Sequence, residues 1–152
     1  SIDVCERALR VGPGQADLSC TLAKILNDFA ITLHEQGRPE DAIALLRRAL
    51  ARERRQAAPW IEYGLLLDAA GRFDEARSAY AHARSVDSNS PWAHGCLAWV
   101  ELRSGSPVRA LWHSWRAHQL DERYADALTI RGLALEALGF DHYETVKADS
   151  TL

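Results

Sequence analysis

The sequence predicts an all-α fold built from stacked helix–turn–helix units, and three observations predict it. Glycine recurs at a fixed step of 34 residues, at Gly37, Gly71, Gly105 and Gly139. Small residues keep the same step: Ala42, Ala76 and Ala110; Ala49, Ala83 and Ala117; Ala30, Gly64, Ala98 and Gly132. Between the glycines, apolar residues return at helical spacing, as Leu26, Phe29, Ala30 and Leu33 and then Ile43, Leu46 and Leu50.

Each column has a physical task. Glycine ends a helix because it takes the left-handed conformation past the last turn without strain. Small side chains sit where two helices cross closely. Asp41, Asp74 and Glu75 fall in the first turn after the breaker, where the helix dipole favours negative charge. Each unit is left with one stripe that it cannot bury alone, and stacking buries it.

The elements follow in order. "IDVCERALRVGPG" in residues 1–15 reads as a partial unit, the second helix of an earlier pair closed by Gly12-Pro13-Gly14. Residues 16–56 form a unit with a long leading helix from about Ala16 to Gln36. Residues 57–90 form the most regular unit, and residues 91–124 a third. That third unit departs from the pattern with His94 at a large apolar slot, Glu101 at another, and Ser114 where Leu46 and Tyr80 stand. Residues 125–152 supply a leading helix, Ala125–Leu138, and then "FDHYETVKADSTL". Glu144 there replaces the small alanine, so the tail reads as a degenerate capping helix. About nine helices are expected in a single domain.

Composition bounds the rest. An apolar share of 47% and a charged share of 26% match an ordinary folded chain. A net charge of −3 gives no basic face of the kind nucleic acid requires. No apolar run is long enough to span a bilayer, and no signal-peptide pattern opens the chain, so a cytoplasmic location is expected. Cys5, Cys20 and Cys96 lack paired spacing and read as reduced thiols, Cys96 as a core filler. The chain has no methionine, so Ser1 reads as a processed end or a boundary within a longer protein.

No catalytic constellation emerges. The six histidines form no metal-ligand spacing with one another or with cysteine, and no phosphate-cradling or nucleophile-elbow motif is present. No enzyme activity, cofactor or metal is expected.

"WIEYGLLL" (residues 60–67), "AGRFDEA" (residues 70–76) and "YAHA" (residues 80–83) resemble the tetratricopeptide repeat in nearly every defining slot, and the resemblance covers about residues 16–140. It implies a right-handed superhelix (an α-solenoid) whose leading helices line a concave groove. Carried over position by position, the groove residues are Asn27, Ile31 and His34; Ile61, Leu65 and Asp68; Trp92, Trp99, Leu102 and Arg103; and Leu133. Lys24, Ala58, Gly95 and Thr129 belong to the same faces. Family members that bind acidic C-termini carry a lysine and asparagine clamp. Here Ile31, Glu62 and Trp92 stand at the slots such a clamp needs, so the groove reads as apolar and aromatic instead. In the other reading, Trp92 and Trp99 fill gaps left by His94 and Glu101.

Two further features stand out. Trp112 and Trp115 occupy slots on the trailing helix of the third unit that usually face outward. They meet a partner or a second copy, or are covered by the fourth unit, or pack between helices. The run Arg47, Arg48, Arg52, Arg54 and Arg55 solubilises a convex face, or alternatively docks an acidic or phosphorylated partner.

These features point to an adaptor or chaperone that holds a hydrophobic helix or extended segment of a partner protein, with no nucleic acid and no membrane insertion. Size, acidity and repeat number resemble bacterial secretion-system chaperones. The alternative is the repeat region of a larger protein, or a self-associating scaffold that forms a homo-oligomer. A related helical repeat that binds RNA is disfavoured by the acidic balance.

Overall fold

Each of the four spaced glycines turns the chain in the same way. All four adopt positive φ, between 74° and 85°. At Gly37 the glycine N–H donates to the His34 carbonyl and the Arg38 N–H to the Leu33 carbonyl, each at 2.9 Å. The pattern repeats at Gly71, Gly105 and Gly139. These two hydrogen bonds, from the residue past the helix end and from its successor, satisfy carbonyls that would otherwise be orphaned, and only glycine takes the required backbone without strain. The periodic glycines are therefore a stop signal, and the helices lie where that signal places them.

The computed structural model describes residues 15–140, with side chains from residue 21 onward. Seven helices are described: α1 (Gln15–Glu35), α2 (Pro39–Arg52), α3 (Ala57–Ala69), α4 (Phe73–Val86), α5 (Pro91–Arg103), α6 (Pro107–Leu120) and α7 (Ala125–Ala137). The partial unit expected at the front and the capping helix expected after Phe140 lie outside the described residues. The fold is an all-α helical repeat with α1–α2, α3–α4 and α5–α6 as successive antiparallel pairs. Proline at the start of α2, α5 and α6 supports these beginnings, since a first-turn residue needs no amide hydrogen. At α5 the Ser90 hydroxyl also accepts the Ala93 N–H at 3.2 Å.

The small-residue columns are the helix crossings. Ala42, Ala76, Ala110, Ala49, Ala83 and Ala117 are all at most 1% exposed. Gly64 shows why one slot must stay smaller still: a β-carbon there would stand 2.6 Å from Tyr80 Cδ1. Tyr80 is itself 1% exposed, so the ring has nowhere to retreat. One expectation fails. Phe29 is 44% exposed, because Leu26, Ala30 and Leu33 already cover the packed face of α1 and residue 29 falls on its flank.

Curvature follows from which helices touch. Each helix packs on its chain neighbours, and the leading helices also meet one another, α1 with α3, α3 with α5 and α5 with α7. No described trailing helix reaches the next trailing helix. The leading helices therefore form a continuous inner layer. The trailing helices splay outward with wedges between them.

Candidate functional site

The inner layer carries an apolar stripe at the repeat step: Ile31 on α1, Leu65 on α3, Trp99 on α5 and Leu133 on α7. Ile31, Leu65 and Leu133 are between 36% and 41% exposed. Trp99 is half-buried against the cluster of Ala98, Ala110, Ile130 and Ala134, and Leu102 packs beside it. Trp92, in the first turn of α5, is 43% exposed. Charge flanks the stripe. Arg103 donates to Asp68 across α3 and α5 at 2.9 Å, joining two leading helices. Burial holds the Glu62 carboxyl above its usual range, and His34 nearby acts in the opposite direction.

The structure moves two of the expected groove residues. Ile61 is 2% exposed and belongs to the core, because it follows the buried face of α3 that also carries Gly64. Gly95 lies beneath the Tyr124 ring, in space a β-carbon would take from that phenol. Asn27 is half-buried, with its Oδ1 enclosed and unpaired among the described residues. His34 and Arg103 are exposed, and Asp68 is largely covered beside Arg103. His94 and Glu101 fill their own slots at 3% exposure each, so they leave no gap for Trp92 or Trp99.

The tetratricopeptide-repeat family model matches residues 33–100, which span α2, α3 and α4 and most of α5. Residues 33–100 carry the tetratricopeptide repeat, and the chain as a whole shares its fold. A crystal structure of the MamA protein is similar, with a TM-score of 0.76 and 21% identity over 96% of this chain and 75% of that one. The first tetratricopeptide domain of Spaghetti (RPAP3), bound to the HSP90 peptide SRMEEVD, gives a TM-score of 0.74 and 14% identity, covering 77% of this chain and 93% of that one. The second such domain of human RPAP3, in complex with the HSP70 peptide SGPTIEEVD, gives 0.73 and 16%, covering 76% and 97%. No curated protein sequence matches the chain.

The third tetratricopeptide repeat replaces core hydrocarbon with polar pairs. His94 on α5 and His113 on α6 face each other with Nδ1 atoms 3.2 Å apart, one ring 3% and the other 8% exposed. The first repeat has Leu26 and Leu45 at the same positions. At that separation one nitrogen must carry the proton and the other accept it, so the facing nitrogens cannot both be protonated. Burial holds His94 below its usual value and pushes His113 down to about 4, with His94 itself and Arg84 and Arg109 adding to the effect on His113.

The consequence is measurable. Below the ordinary histidine value of 6.5 the unfolded chain takes a proton at His113 that the folded chain refuses until about pH 4. Stability is therefore full above that value and declines as pH falls towards 4. Between pH 7 and pH 5 the unfolding free energy should drop by about 2 kcal/mol from this group. Urea unfolding at the two pH values checks it, and His94→Leu with His113→Leu should flatten the slope.

On the outer face, Val108, Trp112 and Trp115 form one stripe of α6, at 66%, 52% and 48% exposure. Of the three readings for these tryptophans, the structure leaves both rings open to solvent among the described residues. Trp112 also rests edge-on against His94, with ring centres 5.8 Å apart. Cys96 is buried, and burial pushes its thiol up to about 12, which makes it a poor nucleophile. Among the described residues no group of three or more His, Cys, Asp or Glu side chains could hold a metal ion, and no helix is long and apolar enough to cross a membrane.

Proposed function

We propose that the chain is a protein-interaction module whose inner face takes an apolar helix or extended segment of a partner protein. The observation that carries this reading is the stripe of exposed Ile31, Leu65 and Leu133 with half-buried Trp99, one residue from each leading helix, and exposed Trp92 beside it. Four apolar side chains held at repeat spacing match a ligand that places anchors at regular intervals. The aromatic pair supplies large rigid contacts of the kind that dominate binding energy. The similar domains of RPAP3 bind peptides ending in EEVD. The inner face here differs in chemistry, because Ile31, Glu62 and Trp92 replace the cationic groups a terminal carboxylate would need. The reading is of binding without catalysis, by an adaptor or chaperone working in the cytoplasm.

The test is titration of a panel of amphipathic helical peptides and of SRMEEVD. An apolar peptide should bind, and Trp92→Ala and Trp99→Ala should each weaken it about 10- to 30-fold with the helical spectrum intact. Preference for SRMEEVD, or apolar binding that ignores both substitutions, overturns the reading.

A second reading rests on the open tryptophans of α6. A scaffold that self-associates through Val108, Trp112 and Trp115 would change mass on dilution, and Trp115→Ala would leave it monomeric at every concentration.

A further inference from the structure

The outer wedges between trailing helices are not alike, and the difference marks a site. The wedge between α2 and α4 holds a cavity of about 440 Å³ with α3 as its floor. Arg47 lines it from α2, Arg54 from the following loop, Trp60 and Tyr63 from α3, and Ser78 and His82 from α4. Trp60 lies five positions from Leu65, a rotation of about 140° around α3. The cavity therefore opens on a different face from the apolar stripe.

The repeat supplies its own control. One step along, between α4 and α6, the position of Ser78 is held by Trp112 and that of Trp60 by His94. There the Trp112 indole, half exposed, rests edge-on to His94 on the intervening helix. In the first wedge the serine leaves that space empty. The walls that remain are organised. The Trp60 ring stacks on His82 at 4.4 Å with planes 15° apart, and its Nε1 donates to the Arg54 carbonyl at 3.2 Å. The His82 Nδ1 lies 2.8 Å from the Ser78 carbonyl, which fixes the imidazole.

Charge completes the description. No acidic side chain lines the cavity, and neither Arg47 nor Arg54 has an ion-pair partner among the described residues. In a chain of net charge −3, two guanidinium groups that line an aromatic cavity and make no ion-pair contact there, with Glu75 the one carboxylate to feel Arg47 at longer range among the described residues, form a local anion site. We propose that the wedge between α2 and α4 binds an aromatic acid. Its ring takes the position that the Trp112 indole occupies one repeat later, and its carboxylate or phosphate meets Arg47 and Arg54. The volume suits a ring with a short acidic arm.

Indole-3-acetate is the probe for a free aromatic acid, and a short peptide ending in a C-terminal tryptophan is the probe for the same chemistry carried by a protein. Indole alone and acetate alone are the controls. Binding is followed by the chemical shifts of the His82 ring and the Trp60 indole N–H. The expected result is saturable binding of at least one of the two probes, each control weaker by tenfold or more. Ser78→Trp should abolish binding by plugging the wedge, at a position that is exposed. Arg47→Ala with Arg54→Ala should weaken it tenfold or more while leaving indole alone unaffected. Tighter binding of the peptide assigns the site to a protein terminus, and tighter binding of the free acid assigns it to a small molecule. No saturation by either probe at millimolar concentration, or binding that survives Ser78→Trp, overturns the proposal.

Discussion

Arg77→Ala is expected to lower the unfolding free energy by about 3 kcal/mol, since removing one partner of a buried pair leaves the other charge uncompensated. Glu101 is 3% exposed, and Arg77 Nε lies 2.9 Å from its Oε1. The Arg77 guanidinium also reaches Asp74 at 2.8 Å and the Ser104 hydroxyl at 2.7 Å, so it is well anchored from the exposed side. Arg109, 3.8 Å away and exposed, offers only a weak replacement. Glu101 Oε2 already lacks a hydrogen bond, which leaves little to absorb the loss. The repeat shows what the pair stands in for. The same two positions hold Ile43 and Leu67 one step earlier and Leu111 and Leu135 one step later. Arg77→Leu combined with Glu101→Leu should therefore regain most of the lost stability, to within about 1 kcal/mol of the parent. Urea unfolding followed by circular dichroism measures both variants. A loss under about 1 kcal/mol for Arg77→Ala would show that the ion pair does not hold Glu101 in place.

Gly64→Ala should be nearly as damaging, by about 3 kcal/mol, because one methyl group must enter space held by the buried Tyr80 ring. For a chain of this size that corresponds to a fall in Tm of roughly 6–12 °C. Gly95→Ala is the informative comparison. The added methyl there meets the far, hydroxyl end of the half-buried Tyr124 side chain, in the loop before α7, whereas at Gly64 it meets a fully buried ring. Its loss should be smaller, and Tyr124→Ala should relieve it. Equal losses at the two glycines would mean that Tyr124 is held as tightly as Tyr80. Thermal unfolding of the three variants decides it.

Most of the architecture was legible in the sequence because its determinants are local and periodic. A glycine that must adopt positive φ, and an alanine where two helices touch, leave the same mark in every copy. The inner face was legible by column but not by rotation. Leu65 and Ile61 are four residues apart on one helix, yet one faces solvent and the other the core, and periodicity alone separates them poorly. The polar pairs were missed because their partners are distant in the chain. His94 and His113 are 19 residues apart on antiparallel helices, and Arg77 and Glu101 are 24 apart. A signal did exist. In each case both positions of an apolar column pair change together, Leu26 with Leu45 or Ile43 with Leu67. The outer cavity needed more, since it depends on the splay of α2 from α4 as well as on the exchange of Trp112 for Ser78.

The contrast between a touching inner layer and separated outer helices has a mechanical consequence. Such an array is a spring with one continuous leaf. Pulling on its ends opens the coil by small tilts at each junction, and no outer helix must lose contact with another for this to happen. The stiffness is set by the inner layer, where the Arg103–Asp68 bridge clamps α3 to α5. Extension is then shared unevenly, with the junction clamped by Arg103 and Asp68 resisting it most.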